Sequence, residues 1–441
     1  MTASLQAATD PFFAAARFDG LRRGLLVLVC ALFPVSKVFN SGGKLINFSV
    51  ADVLLPVAAL LLVWRSMSCG VRWPSALAFL LNLAVLSAAA LLNLQLTADY
   101  KSPLSAFVEI AKSMSLWVYF YLTVNFIDDR KDFLWALRAW VASSAVVAAL
   151  GVVGSLLYQL AGVETVFALQ FRAQGTFEDS NLFAAHVGVS FFLTLLLWFT
   201  EDRRASWLLL VVPIQLLGVL LSASRGSLLA VCAALLALAF FFSSTRIKWA
   251  VGFGSFMLGL LVMSLPNREA ILQSNPATAR LTTTTVDLDN PEAQQRRSLW
   301  AVALRTWQAN PWLGAGRGNY GLGAGGEAQA IGFAHNTYLG LLAETGSVGF
   351  ATYAMVVTTM GLPILLIARR RGHAQASLLL AALLVVALAG VTINIENYRG
   401  LWMLLALMEA YRRVIAMPRA ESNLILAMAG PVHEVSHAHA T

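Results

Sequence analysis

A histidine, an asparagine and a glutamate stand at helical spacing in one segment, His-Asn-Thr-Tyr-Leu-Gly-Leu-Leu-Ala-Glu-Thr-Gly-Ser-Val-Gly, from His335 to Gly349. The segment follows a glycine-rich stretch and leads into a long apolar run. His335 is suited to accept a proton or to orient a hydroxyl, with Asn336 beside it. Glu344 lies about two and a half helical turns further on. Because ionisable groups next to a membrane span cost free energy, we take His335 as the candidate catalytic residue.

Arginines recur beside the other apolar runs. Guanidinium groups at a membrane boundary suit a phosphate or pyrophosphate, because the planar fork binds two oxygens and stays charged when partly desolvated. Helix N-termini after Asn181 and Arg225 would add backbone N–H donors. Asp179 shares a short stretch with Arg172 and is expected to orient it. For any one arginine the alternative is an anchor at a helix end or lipid headgroup. The arginines in question are Arg172, Arg225, Arg296, Arg297, Arg317 and Arg399.

Other residue types point to less chemistry. His186 lies inside an apolar run and is interpreted as a packing residue. The three cysteines have no metal-ligand spacing, and no His/Cys/Asp cluster of that kind stands near the candidates. The run Gly-Ala-Gly-Arg-Gly at 314–318 resembles a phosphate loop only superficially, because we expect no strand before it. We therefore expect a mechanism without metal or cofactor.

Composition places these residues in a membrane protein. Hydrophobic residues make up 58% of the chain and charged residues 12%, and the mean hydropathy is +0.70. Such values exclude an ordinary soluble domain. Apolar runs near the length that crosses a bilayer suggest about twelve transmembrane helices, among them Gly24–Phe39, Trp249–Leu265 and Tyr338–Ala368. The fold class predicted is an all-α polytopic membrane protein.

Every second connection between these runs is basic. By the positive-inside rule the basic connections are cytoplasmic, and both termini lie with them. The net charge of +8 is then explained by topology, so nucleic-acid binding is not indicated. The basic connections carry Arg22/Arg23, Arg65/Arg72, Arg130/Lys131, Arg203/Arg204, Arg246/Lys248, Arg369/Arg370/Arg371 and Arg412/Arg413.

The alternation divides the chain into four parts. Residues 1–265 hold nine predicted transmembrane helices, and residues 266–334 form a large outward loop in which Arg297–Asn310 has the spacing of an amphipathic helix. Residues 335–413 hold three more transmembrane helices, and residues 414–441 form a cytoplasmic tail. Every candidate residue named above then lies on the outward side of the membrane, where membrane lipids are close.

Three motifs together resemble the O-antigen ligase and polymerase superfamily. They are Arg-Gly-Ser-Leu-Leu at 225–229, Arg-Arg-Ser-Leu-Trp to Pro-Trp-Leu-Gly-Ala-Gly at 296–316, and His-Asn-Thr-Tyr-Leu with Glu-Thr-Gly-Ser-Val-Gly at 335–349. The segment Gly-Thr-Phe-Glu-Asp-Ser-Asn at 175–181 is similar to the one that precedes a middle span in that family. The order, spacing and common outward placement of the motifs give the resemblance its specificity.

The resemblance implies an inverting, metal-independent glycosyltransferase with a helical, GT-C-like membrane fold and a helical periplasmic loop. The donor would be a glycan on undecaprenyl pyrophosphate, and the acceptor of a ligase would be lipid A–core on the periplasmic face of the bacterial inner membrane. The family's histidine would correspond to His335 and its arginine before the loop to Arg225. Its loop arginine would be Arg296 or Arg297. Arg172 would join them around the pyrophosphate, supported by Asp179, Asn181, Asn336 and Glu344.

Two kinds of alternative remain open. A polymerase or a protein O-oligosaccharyltransferase of the same superfamily would use the same donor with another acceptor. A lipid-glycan flippase or transporter would also need arginines for an anionic lipid, although its charges should lie near the bilayer midplane on interrupted helices. The clustering of the candidate residues at the outward boundary favours catalysis over transport.

Overall fold

The chain folds into a helical bundle. A computed structural model describes residues 11–41, 44–68, 70–94, 104–201, 207–242, 291–321, 332–369 and 373–416. Its α-helices are α1 (Pro11–Leu32), α2 (Leu55–Ser68), α3 (Ala76–Leu92), α4 (Leu104–Phe126), α5 (Arg130–Ala161), α6 (Ser180–Thr200), α7 (Leu208–Leu221), α8 (Arg225–Phe242), α9 (Pro291–Ala309), α10 (Thr337–Ala368), α11 (Ala374–Ala389) and α12 (Arg399–Tyr411). A 3₁₀ turn (Val50–Leu54) precedes α2, and a short π-helix (Arg412–Ala416) follows α12.

Two short antiparallel hairpins accompany the helices. Strand β1 (Ser36–Ser41) pairs with β2 (Lys44–Ser49), and β3 (Ala168–Leu169) pairs with β4 (Arg172–Ala173). The predicted all-α fold class did not include these four short strands. In the first hairpin, two short runs with apolar β-formers flank a Gly-Gly pair, which is a recognised hairpin signal. The first predicted apolar run, Gly24–Phe39, accordingly ends as a helix at Leu32.

The helices overlap the predicted apolar runs, except for Trp249–Leu265, which lies outside the described residues. The amphipathic helix predicted in the outward loop is α9. By length and composition, four segments in the described part of the chain can cross a membrane: Val50–Met67, Arg130–Ala161, Ser180–Thr200 and Thr337–Ala368. The structure is thus that of a helical membrane protein, while twelve spans and the GT-C-like fold stay predictions.

Helix α12 occupies the middle of the bundle. Every residue from Gly400 to Tyr411 is buried, and α12 packs against α4, α5, α10 and α11. Helix α6 is buried along most of its length and packs against α5, α7, α8 and α11. Helices buried on all sides read as uniformly apolar, which is why hydropathy located them and could not tell which neighbours they meet.

Basic residues of the predicted connections lie together at one end of this bundle where the structure describes them. Arg22 lies 2.8 Å from the buried carboxylate of Asp132, and Arg65 binds both oxygens of Asp128 at 2.9 and 2.8 Å. Arg22 lies midway along α1 and Arg65 in the last turn of α2, whereas Asp128 follows α4 and Asp132 lies in the first turn of α5. The first residues of α6, α8 and α12 lie at the other end, which is where the outward candidates were predicted.

Helix α10 is interrupted at Gly346, whose φ of 66° and ψ of −172° are not helical. The break separates a short helix at 337–345 from a longer one at 347–368. Residues 311–316 fill it, so that the backbone groups released by the break are satisfied inside the protein, as an apolar environment requires. The four hydrogen bonds join the N–H groups of Ala315 and Gly316 to the carbonyls of Ala343 and Glu344, and those of Ser347 and Val348 to the carbonyls of Pro311 and Trp312.

Candidate functional site

Arg172 lies in β4, and two hydrogen bonds hold its side chain beside the start of α6. Its Nε donates to the Ser222 carbonyl at 3.0 Å, and its Nη2 donates to the Asn181 side-chain oxygen at 3.0 Å. Asp179 is the N-cap of α6 and accepts the Asn181 backbone N–H at 2.7 Å. Asn181 therefore orients Arg172 directly, and Asp179 acts one step behind it by fixing the first turn of the helix.

Arg225 begins α8, three residues after Ser222, whose carbonyl binds Arg172. The Ser227 hydroxyl donates to the Asn181 carbonyl at 3.1 Å, which joins the first turns of α6 and α8. A Cβ at Gly226 would overlap the Thr392 hydroxyl, so only glycine permits this approach. Two helix N-termini, each with a positive dipole end, thus lie side by side with Arg172 and Arg225.

Helix α9 adds one of its two adjacent arginines to this end of the bundle. The half-buried Arg296 points its Nη1 at the Thr392 carbonyl, 3.5 Å away. Arg297 is exposed, and its Nε donates to the Ala293 carbonyl of its own helix at 3.3 Å. Arg296 therefore faces the segment that Gly226 also touches, and Arg297 faces away from it.

His335 lies immediately before α10 and has a left-handed φ of 51°. Asn336 is the N-cap, and its side chain accepts the N–H groups of Tyr338 and Leu339 at 3.0 and 3.1 Å. The half-buried His335 ring packs edge-on against Phe333, with 4.6 Å between ring centroids. A bulky residue with positive φ is uncommon and strained, so the surroundings must hold it there.

The electrostatic surroundings of His335 keep its imidazole neutral near pH 7. Burial lowers its pKa below the ordinary value of 6.5, the positive charge of Arg296 lowers it further, and Asp179 opposes both with a smaller effect. Within the described ranges, no residue hydrogen-bonds the His335 ring, so a neutral ring nitrogen is available to a hydroxyl.

Glu344, predicted as a supporting residue, lies in a different cluster. Arg317 donates to its Oε2 at 2.9 Å, to Asn397 at 2.9 Å and to Glu396 Oε1 at 3.4 Å. Arg317, Glu344 and Glu396 are all more than nine-tenths buried. Glu344 therefore fixes the glycine-rich segment to α10 and does not contact His335.

His186, predicted to pack in the core, and the candidate Arg399 both have structural partners. His186 is fully buried, hydrogen-bonds Tyr398 at 2.7 Å and stacks on Trp140, which confirms that it packs in the core. Arg399 donates to Asp52 at 2.8 Å and ties the start of α12 to the 3₁₀ turn.

The segment between α11 and α12 also contributes to this end of the bundle, although the sequence did not predict it. Thr392, Asn394 and Glu396 face the residues described above, and each is polar within a mostly apolar stretch. Their alternation at an outward turn was the available signal. For metals, no group of three or more His, Cys, Asp or Glu residues that could hold an ion occurs in the parts of the chain that the structure describes.

The structure thus brings together Arg172, Asp179, Asn181, Arg225, Arg296, His335 and Asn336. Residues 210–354, which run from α7 into α10 and include four of these seven, match the family model described as O-antigen ligase. No curated protein matches the chain.

Proposed function

This chain belongs to the O-antigen ligase superfamily, since its residues 210–354 match that family's model, and we propose that it transfers O-antigen glycan from undecaprenyl pyrophosphate to lipid A–core. The observation that carries the proposal is the convergence of Arg172, Arg225 and Arg296 with a neutral His335 at one end of the bundle. Members of this superfamily are glycosyltransferase-like enzymes, and this convergence supplies both halves of a glycosyl transfer.

The arginines would bind the donor diphosphate. Arg172 already makes two hydrogen bonds that fix its guanidinium plane, and a preorganised cation contributes most where charge develops in the transition state. The N-termini of α6 and α8 add partial positive charge at the same place. The prenyl chain of the donor would lie in the bilayer beside these helices.

His335 would act on the acceptor. A sugar hydroxyl attacks the anomeric carbon, the bond from that carbon to the diphosphate oxygen breaks, and the bond's electron pair leaves with the diphosphate. The hydroxyl proton passes to the neutral His335 ring nitrogen. A single displacement inverts the anomeric configuration, and the arginines take the role that a divalent metal has in other phosphate sites, so transfer should not need one.

The transporter alternative gains one observation, since α10 is interrupted and carries a buried glutamate beside the break. In transporters such breaks leave backbone groups to bind the substrate. Here the segment at 311–316 uses those groups, and Glu344 is paired with Arg317. The break is therefore occupied by the chain itself, which favours the enzyme.

The test is transfer by purified protein in nanodiscs, supplied with undecaprenyl-pyrophosphate glycan and lipid A–core, with and without a chelator. The proposal expects chelator-resistant formation of glycosylated lipid A–core. Longer glycans on the lipid carrier would instead indicate a polymerase, and glycan on an added acceptor protein would indicate a protein O-oligosaccharyltransferase. If none of these products forms, movement of the lipid-linked glycan between leaflets is the remaining activity to measure. The same proposal places the protein in the inner membrane, with its site on the periplasmic face and both termini in the cytoplasm.

A further inference from the structure

The segment at 390–397, between α11 and α12, clamps the start of α10. The Thr337 N–H donates to the carbonyls of Gly390 and Ile393 at 2.8 and 3.1 Å. Its hydroxyl donates to the Ile393 carbonyl and accepts the Ile395 N–H, both at 2.8 Å. The residue two positions after His335 is therefore fixed through both backbone and side chain.

Asn394 extends this clamp to the residue next to His335. Its side-chain oxygen accepts the Asn336 N–H at 3.2 Å, and its side-chain nitrogen donates to Glu396 Oε1 at 3.3 Å. An ionised carboxylate only accepts hydrogen bonds. Glu396 therefore sets the orientation of the Asn394 amide, because the nitrogen must face Glu396 and the oxygen is left for the Asn336 N–H.

Glu396 is itself held from the glycine-rich segment. Arg317 donates to the same Oε1 and to Asn397, and its other terminal nitrogen binds Glu344. The Trp402 ring N–H donates to the Glu396 backbone carbonyl at 3.1 Å. A continuous set of contacts thus runs from Arg317 through Glu396 and Asn394 to the peptide between His335 and Asn336.

The backbone of His335 needs such support. A non-glycine residue at positive φ is strained and persists only where its surroundings determine it. The conformation places the half-buried imidazole where the charges of Arg296 and Asp179 act on it. Without the clamp, the residue would relax to an ordinary conformation and its ring would move.

We propose that Asn394 is a positioning residue for His335 and that Glu396, held by Arg317, fixes the orientation of the Asn394 amide. The inference rests on the proposed function for its kinetic readout. It assigns a role to three residues that contact neither donor nor acceptor, and it makes the hydrogen bond between positions 394 and 396 the testable element.

The kinetic test exchanges the hydrogen-bond donor at position 394 with the hydrogen-bond acceptor at position 396. Asn394→Asp puts two carboxylates face to face and removes the donor, so kcat should fall by about 10²-fold, as a displacement of about 1 Å does. KM for the lipid-linked donor should change little, because the arginines are untouched. Adding Glu396→Gln restores the bond with reversed polarity, since the amide nitrogen takes the place of Oε1 and donates to the new carboxylate at position 394. Arg317 then loses its contact with position 396 and keeps those with Glu344 and Asn397. The double variant has the wild-type net charge and should recover part of the lost kcat.

A second measurement needs no activity. Diethylpyrocarbonate modifies neutral imidazole, so its rate at His335, followed by mass spectrometry against pH, gives the pKa of that residue. In Asn394→Ala the midpoint should rise towards the ordinary histidine value, because a released ring regains water and leaves Arg296. In the double variant, Asn394→Asp with Glu396→Gln, it should stay at the wild-type midpoint.

The outcomes separate the two proposals. Unchanged kcat and an unchanged labelling midpoint in folded Asn394→Ala would overturn the positioning role, as would a double variant no better than Asn394→Asp. Shifted labelling in Asn394→Ala, together with a wild type that transfers no glycan, would retain the positioning role and reject the proposed function.

Discussion

Arg296 and Arg297 are adjacent in sequence but face different surroundings. The Arg296 guanidinium reaches the Thr392 carbonyl at 3.5 Å, whereas that of Arg297 turns back to the Ala293 carbonyl one helical turn earlier. Their side chains leave α9 about 100° apart, as consecutive helical residues do. One face of α9 therefore meets the segment between α11 and α12, and Arg297 lies exposed on the next face.

This difference makes the pair a matched experiment. Arg296→Gln should lower kcat/KM for the lipid-linked donor by about 10²-fold, the effect of removing one preorganised charge contact. Arg297→Gln removes the same charge from the same helix and should stay within about threefold, since exposed charges contribute little. Initial rates at varied donor concentration measure both. Equal losses in the two variants would contradict the orientation of α9.

His335→Ala should reduce transfer by at least about 10²-fold, the usual contribution of a general base. Because the side chain is only half-buried, the variant should remain folded. The control is His373→Ala, which changes the same residue type just before α11, away from the site. Product formation is compared after size-exclusion profiles and thermal denaturation confirm folding. Wild-type rates in folded His335→Ala would remove His335 from the mechanism.

The pH dependence of kcat follows from the lowered pKa of His335. A base must be neutral, so the rate should fall as pH drops through the pKa, and burial and Arg296 place this limb below the ordinary value of 6.5. In Arg296→Gln the acid limb of the residual activity should move to a higher pH, because the nearby positive charge no longer opposes protonation of His335. Arg297→Gln should leave the limb where it is. A limb that does not move in Arg296→Gln would mean that another group titrates.

Gly346→Ala should destabilise the protein by about 1–3 kcal/mol and release the segment at 311–316. Gly346 has a φ of 66°, and an added Cβ would overlap the Trp312 carbonyl group. Gly162 has the same φ in open space with a left-handed ψ of 14°, so Gly162→Ala gives the cost of alanine at an ordinary left-handed position, whereas the ψ of −172° at Gly346 is one that essentially only glycine adopts and adds its own strain. Thermal denaturation in detergent compares them. A loss no greater in Gly346→Ala than in Gly162→Ala would show that the close approach is not required.

Hydropathy and charge predicted much of the fold. Long apolar runs identified the helices, and alternating basic connections separated the two ends of the bundle. The helix expected at His335 is α10, which begins at Thr337 with Asn336 as its N-cap. These features depend on local sequence, which is why they were accessible. The break at Gly346 was not predicted, because an apolar run with an internal glycine looks the same whether or not another segment inserts there.

The sequence predicted many residues of the candidate site but not the contacts between them. Arg172 and Asn181 were singled out, but their hydrogen bond depends on how β4 folds onto α6. Glu344 was placed with His335 by helical spacing, whereas its partner is Arg317, 27 residues earlier in the chain. Pairings across such separations depend on tertiary packing, and a single sequence carries no signal for them.

The burial of α12 also has a consequence for how the protein is made. It is the last α-helix along the chain that the structure describes, yet it fills the centre between α4, α5, α10 and α11. The helices that pack against α12 therefore lack this contact until α12 is synthesised and inserted. Since the clamp on His335 directly precedes α12, the site takes shape only when α12 is in place, and a nascent chain that ends before the clamp lacks both the clamp and the central helix.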